Sequence, residues 1–374
     1  MPGVYISYPF CAQKCTYCNF ASGVFPRELE TQYVNALRAE LRATIWPWVP
    51  ETVYLGGGTP SLMAPEALAA VLGEIPRAKA EATSVEATWV EATMEAAPGN
   101  LTPERIRAWR EAGINRVSLG VQSFVQKELA RTGRRHTAEI VEREIGMLRA
   151  AGIESINVDL IAGLPGQTTA SFRESLDWVE RLAIPHVSVY MLEVDEDSRL
   201  GRELLVLGSR YGAADVPGED AIADFYEAAV DRLEHIGIAR YEISNFARPG
   251  FESRHNLKYW KREAYLGFGG DAHSFLGTER WQNPESAAEY VANPRATVRT
   301  PADPLSETYF LGLRLREGVE AGAFERAFPD AVQRFTGDGL LERAGERIRL
   351  TPRGVMLSNE VFAEFMGAGV ISSK

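Results

Sequence analysis

The chain is poor in cysteine, with three among 374 residues, all between positions 11 and 18. An odd count with no apolar leader ahead of Cys11 argues against a disulfide framework and predicts a reducing, cytoplasmic setting in which thiols stay free. Basic residues are also short: 40 Lys and Arg stand against 51 Asp and Glu, a formal net charge of -11. That deficit argues against nucleic acid as a partner, since a broad footprint normally carries a Lys/Arg surplus. No apolar run approaches the roughly 20 residues that span a bilayer. Low-complexity tracts, targeting signals and internal repeats are lacking too. With 45% hydrophobic and 24% charged residues, the chain is of ordinary globular composition. It is long enough for one core of about 200 to 250 residues and a smaller second domain.

What is present starts with Cys11-Ala12-Gln13-Lys14-Cys15-Thr16-Tyr17-Cys18. Thiols packed so closely in sequence can reach one metal centre, and no cysteine elsewhere can complete the set. A structural zinc site needs four ligands, and the nearest His is the distant His136. An iron-sulfur cube held by three thiolates keeps one iron open, whereas cubes that only carry electrons normally take four cysteines. An open iron implies a small molecule bound to it.

A strand is expected at residues 4–7, delivering Pro9-Phe10-Cys11 at its carboxyl end. Leu29, Tyr33, Leu37, Leu41 and Ile45 form an i, i+4 stripe that predicts a helix over 27–45. Further strands are expected at 52–55, 85–93, 116–121, 155–161 and 187–192. Helices lie between them, among them 137–151, closed by Gly152. This alternation implies parallel strands with right-handed crossovers, and six units predict an α/β fold, a partial (β/α)6 TIM-like barrel. Chemistry in such barrels sits at the carboxyl ends of the strands. That face would collect the cysteine loop, Gly56-Gly57-Gly58-Thr59-Pro60, Glu95, Gln122 and Asp159. The expected domains are a barrel over 1–240, a connecting segment over 241–303 and an α-rich, winged-helix-like domain over 304–374. Pro294, Pro301 and Pro304 mark the last boundary. The C-terminal domain should hold helices at 307–317, 324–328 and 331–340 and a strand at 347–350.

A glycine-rich turn after a strand lets backbone approach a ligand closely, because glycine has no Cβ, yet alone it is more often only a turn. Glu95, Gln122, Arg134 and Asp159 alone would read as surface or capping residues. Together with the cysteines they form a pattern. Cys-x3-Cys-x2-Cys directly after Val4-Tyr5-Ile6 resembles the cluster loop of radical S-adenosylmethionine (SAM) enzymes. Met94-Glu95-Ala96-Ala97-Pro98-Gly99, Arg116 to Phe124, Gly133-Arg134-Arg135-His136 and Asn157 to Gln167 follow in the order of the oxygen-independent coproporphyrinogen III oxidase-like family. Within it the chain is most similar to the HemW-type haem chaperones, from about Val4 to the C-terminal domain.

The resemblance implies a [4Fe-4S] cluster on Cys11, Cys15 and Cys18. It implies SAM contacts at Tyr5, Tyr17, Gly57, Gly58, Thr59, Glu95, Gln122, Arg134 and Asp159. SAM would chelate the open iron and be cleaved reductively to methionine and a 5′-deoxyadenosyl radical, with electrons from a flavodoxin- or ferredoxin-type donor. Haem and haem-acceptor proteins are implied partners, and a peripheral membrane contact is compatible with them. The family's oxidases instead decarboxylate propionates of coproporphyrinogen III, and HemN-like C-methyltransferases reuse the scaffold.

Two features favour the chaperone. Arg254-His255-Asn256-Leu257-Lys258-Tyr259-Trp260 holds an intact His-Asn-x-x-Tyr-Trp motif, in which His255 would ligate haem iron while Tyr259 and Trp260 pack on a porphyrin face. A structural His buried among aromatics fits the same residues. The second feature is the short lead before Cys11, where the oxidases carry a long N-terminal extension. Two departures stand out: Ser7 replaces a family His, and Gly269-Gly270-Asp271-Ala272-His273 replaces a glycine-alanine run. His273 is a second candidate haem contact, or simply a loop histidine.

Overall fold

The N-terminal apolar run forms β1 (Gly3–Tyr8) in a computed structural model that describes residues 2–78 and 89–365. Five parallel strands follow in sequence order: β2 (Thr52–Gly57), β3 (Glu91–Ala96), β4 (Arg116–Gln122), β5 (Ser155–Ala162) and β6 (His186–Met191). Between and after them run α1 (Arg27–Ala43), α2 (Pro65–Leu72), α3 (Pro103–Ala112), α4 (Gln126–Arg131), α5 (Ala138–Ala150), α6 (Thr169–Arg181), α7 (Arg199–Leu205) and α8 (Glu219–His235). Thr102, Thr137 and Thr168 start α3, α5 and α6 by accepting backbone N–H groups on their side chains.

The strands alternate in a way that decides where chemistry can happen. Val53, Leu55, Ala92, Met94, Val117, Leu119, Val158, Leu160, Val187 and Val189 are buried hydrophobics of the core. The intervening positions, Tyr54, Thr93, Glu95, Ser118, Asn157, Asp159, His186, Ser188 and Tyr190, line the barrel interior. The lumen is therefore polar from end to end.

The expected connector, 241–303, widens the same sheet. After β7 (Ala239–Arg240) it contributes β8 (Asn245–Ala247), α9 (Arg254–Trp260), β9 (Tyr265–Phe268), β10 (His273–Leu276), β11 (Glu279–Gln282), α10 (Ala287–Ala292) and β12 (Val298–Pro301). β9 runs parallel beside β1, β10 to β12 step outward antiparallel, and β8 pairs antiparallel with β6, giving a sheet of 12 strands. The tail holds α11 (Pro304–Gly312), β13 (Val319–Glu320), α12 (Ala321–Ala327), α13 (Pro329–Gly337), β14 (Leu341–Ala344), β15 (Arg347–Leu350), α14 (Pro352–Met356) and α15 (Ser358–Phe365). Glu307 on α11 binds Arg262 and Arg280, each at 2.7 Å, and ties this tail to the barrel sheet.

Several expected boundaries move. The first helix ends at Ala43, and Ile45 is 93% exposed rather than part of the apolar stripe. β3 begins at Glu91, six residues later than expected, and residues 85–88 lie outside the described residues. The helix expected at 307–317 instead starts at Pro304, because the Asp303 side chain caps it by accepting from the N–H groups of Leu305 and Ser306. Among the described residues no helix is long and apolar enough to cross a membrane.

Candidate functional site

The cysteine loop leaves the carboxyl end of β1 and is closed on itself. Cys11 N–H donates to Gly23 O at 2.8 Å and Gly23 N–H to Pro9 O at 2.9 Å. Its outer side rests on the turn after α4, where Gln13 Nε2 donates to Gly133 O at 2.5 Å. The start of α7 holds it as well: Leu200 N–H donates to Thr16 O at 2.9 Å, and the Arg199 guanidinium donates to Lys14 O. Cys11, Cys15 and Cys18 are free, half-buried thiols on this one loop. Among the described residues no three His, Cys, Asp or Glu side chains converge on a single-ion site. A cube offers a separate iron to each thiolate, so three thiols spread along one loop are a fitting donor set for it.

The glycine turn is joined to that loop. Gly58 N–H donates to Tyr8 O and Thr59 N–H to Phe10 O, both at 2.9 Å. A Cβ on Gly58 would lie 2.8 Å from Pro9 C and 2.9 Å from Phe10 N, and Gly57 has φ +105°. The glycines thus answer first to close approach within the chain. Gly57 also offers its N–H to the Glu95 carboxylate.

Glu95 is the centre of the lumen. Tyr54 OH donates to its Oε1 at 2.9 Å. Burial, with the Asp159 charge adding to it, pushes its pKa up to about 7. Asp159 sits in the middle of β5, not at its end as expected, and turns inward, where Asn157 Nδ2 donates to it at 2.7 Å and Ser118 Oγ at 3.3 Å. Burial raises its pKa also. Arg134 Nη1 donates to Gly120 O at 2.6 Å and its Nη2 meets Tyr17 OH at 3.5 Å, while its buried Nε has no hydrogen-bond partner among the described residues. Gln122 follows a register shift at the end of β4 and holds φ +72°, a strained backbone of the kind stored at functional sites. A Cβ on Gly120 would come within 3.2 Å of Gln122 Nε2 and 3.5 Å of Arg134 Nη2. Tyr5 stacks on Tyr54 at 6.1 Å. Tyr5, Tyr17, Gly57, Gly58, Thr59, Glu95, Gln122, Arg134 and Asp159 are all partly accessible. Beneath Glu95 and Asp159 lies a polar cavity of about 50 Å³. Sequence reasoning missed Tyr54, Ser118, Gly120, Asn157, Ser188 and Tyr190. For Ser118, Asn157, Ser188 and Tyr190 the signal was there: polar residues at every second position of strands expected to be covered on both faces.

Residues 5–179 match the Radical SAM superfamily and residues 300–357 the HemN C-terminal domain. A relative from Lactococcus lactis named heme chaperone HemW is 34% identical over 97% of this chain and 96% of its own. One of the same name from Mycobacterium tuberculosis is 36% identical over 98% and 95%. The chain belongs to the HemW family of radical SAM proteins. The structure of coproporphyrinogen III oxidase (HemN) from Escherichia coli shares its fold, with TM-score 0.80 at 20% identity over 98% of this chain and 90% of that one.

The His-Asn-x-x-Tyr-Trp motif at His255 lies apart from the cysteine loop. It lies on α9, against the amino ends of the strands, while the cysteines lie at the carboxyl ends. Glu91, at the start of β3, accepts from the N–H groups of Arg254 and His255, both at 2.9 Å. His255 is fully buried, with Nδ1 bonded to Thr52 Oγ1 at 2.9 Å and Nε2 to Tyr259 OH at 2.7 Å. Burial pushes its pKa down to about 3. In this arrangement both ring nitrogens of His255 are engaged within the fold, which is the structural, aromatic-packed histidine that the same residues also fit. Tyr259 and Trp260 are partly accessible and already have ring partners within the chain. Tyr259 packs edge-on against Tyr265 at 4.6 Å, and the Arg314 guanidinium covers the Trp260 ring at 4.3 Å. Of the five histidines, only His235 and His273 are exposed. The two departures from the family pattern adjoin each other, since a Cβ on Gly269 would lie 3.2 Å from the Ser7 Cβ.

Proposed function

We propose that the chain is a haem chaperone carrying a [4Fe-4S] cluster and SAM. The observation that carries this reading is three free thiols on the loop at the carboxyl end of β1 beside a lumen that holds the half-buried set Glu95, Gln122, Arg134 and Asp159, in a chain whose relatives bear the name heme chaperone. Cys11, Cys15 and Cys18 would hold the cluster, whose chemistry when bound and reduced would be one-electron donation to SAM. The chain's own residues bind and orient. Arg134 would pair with the SAM carboxylate, and its Nε, without a hydrogen-bond partner among the described residues, is a donor in reserve. Glu95 and Asp159 accept from SAM ammonium or hydroxyl groups, while Tyr5, Tyr17, Gln122 and the turn Gly57-Gly58-Thr59 shape the walls. A flavodoxin- or ferredoxin-type protein is the proposed reductant, and haem-acceptor proteins receive the cargo.

An accessible imidazole is one of the side chains that can ligate haem iron. His273 offers one at the start of β10, beside the turn whose Gly269 packs on Ser7. His235 lies on the outer helix α8. The reading therefore selects His273 as the axial ligand and assigns no decarboxylation of coproporphyrinogen III. Anaerobic reconstitution followed by parallel incubation with haem and with coproporphyrinogen III tests it. Haem should bind, with His273→Ala weakening it about tenfold or more and His255→Ala leaving it unchanged. Carbon dioxide release with formation of protoporphyrinogen would make the chain an oxidase instead.

A further inference from the structure

The buried His255 has a place in a contiguous set of contacts that leads to the SAM side of the barrel. Its Nδ1 and Nε2 are fixed by Thr52 and Tyr259. Its ring stacks on the Tyr54 ring, with centroids 5.2 Å apart and planes 27° from parallel. Tyr5 stacks on Tyr54 as well, at 6.1 Å, which leaves the phenol little rotational freedom. The Tyr54 hydroxyl then donates to Glu95 Oε1 at 2.9 Å, and Glu95 also accepts from Gly57 N–H in the glycine turn. β2 spans this distance: Thr52 at its start touches His255, and Gly57 at its end touches Glu95, about 16 Å along a strand of ordinary rise.

We infer that His255 is a positioning residue for SAM binding: by holding the Tyr54 ring from below, it aims the phenol that keeps Glu95 oriented in the lumen. The inference rests on Glu95 being a SAM contact. A stacked ring restrained on two nitrogens is better suited to this task than a flexible side chain, because it loses little rotamer freedom in use. The motif's Tyr259 fits the same scheme, since its hydroxyl fixes the imidazole Nε2.

The test is SAM affinity of the reconstituted protein measured across pH. The groups facing Glu95 are Tyr5 on β1, Tyr54 and Gly57 on β2, Asp159 on β5, Tyr190 on β6 and Tyr259 on α9. Ionised Glu95 is the accepting form, so wild-type binding should weaken as pH falls through about 7. Tyr54→Phe removes a donor that favours the ionised form. It should lower affinity at neutral pH about tenfold and move the midpoint upward. His255→Ala should shift both in the same direction, and the double variant should add little to Tyr54→Phe, because both act on one hydrogen bond. Thr52→Val, which keeps the shape and removes the Nδ1 partner, should give a smaller shift and serves if His255→Ala does not fold.

A wild-type pH profile for both His255→Ala and Thr52→Val, with Tyr54→Phe still shifted, would overturn the positioning role and leave Glu95 as a contact. An unchanged affinity in Glu95→Gln would instead remove the SAM reading beneath it. Loss of haem binding in His255→Ala with an unaltered SAM profile would return the motif to haem.

Discussion

Gly58 shows how tightly single residues are constrained where the glycine turn meets the cysteine loop. Its missing Cβ makes room for the backbone of Pro9 and Phe10, atoms that cannot swing aside as a side chain would. Gly58→Ala should therefore cost about 1–3 kcal/mol and lower the iron retained per chain after reconstitution. Thermal unfolding and iron analysis check both, and a variant with wild-type values would contradict the packing described. The turn was legible in the sequence as a place where backbone comes close to something. That the something is the cysteine loop itself was not, because the contact joins β2 to β1 across a whole helix. Likewise Glu95 and Asp159 could be picked out, but Tyr54 reads locally as one more aromatic in a strand. Its role follows only from the neighbour it meets on β3.

At the scale of elements, α9 is the informative case. Its residues were marked by motif, yet neither its helical form nor the end of the barrel it would occupy was read from the sequence. That is decided by Glu91, 164 residues earlier in the chain than His255, whose carboxylate accepts the first N–H groups of the helix. Glu91→Ala should destabilise the protein by about 2 kcal/mol, since two backbone donors are left without their acceptor at a buried helix start. Faster amide exchange across residues 254–260 would accompany the loss. Unchanged exchange there would show that α9 is anchored by other contacts. Element boundaries slipped where local pattern misled: Ile45 continues the period of its helix but follows the extended Thr44 and lies out in solvent.

For the whole molecule, local periodicity was enough to reveal the six-strand barrel, because each β/α unit carries its own signal. The widening of the sheet by β8 to β12 was hidden, since strands of three or four residues leave little pattern and their pairing with β1 and β6 is long-range. The tail is held to this wider sheet by Glu307 between Arg262 and Arg280, with the carboxylate side chain only 9% exposed. Glu307→Gln leaves two cations short of their partner and should cost about 3 kcal/mol. Urea unfolding measures it, and limited proteolysis near residue 304 should become faster. A stability within error of wild type would mean that the apolar contacts of the tail suffice.

The central claim is that the Cys11–Cys18 loop holds a cube with an iron left free for SAM in the adjoining lumen. Electron paramagnetic resonance of the anaerobically reconstituted, reduced protein, recorded before and after SAM is added, tests it most directly. A cluster signal that changes on addition of SAM, and that changes less in Arg134→Ala, is the result this account predicts. A signal indifferent to SAM would contradict it.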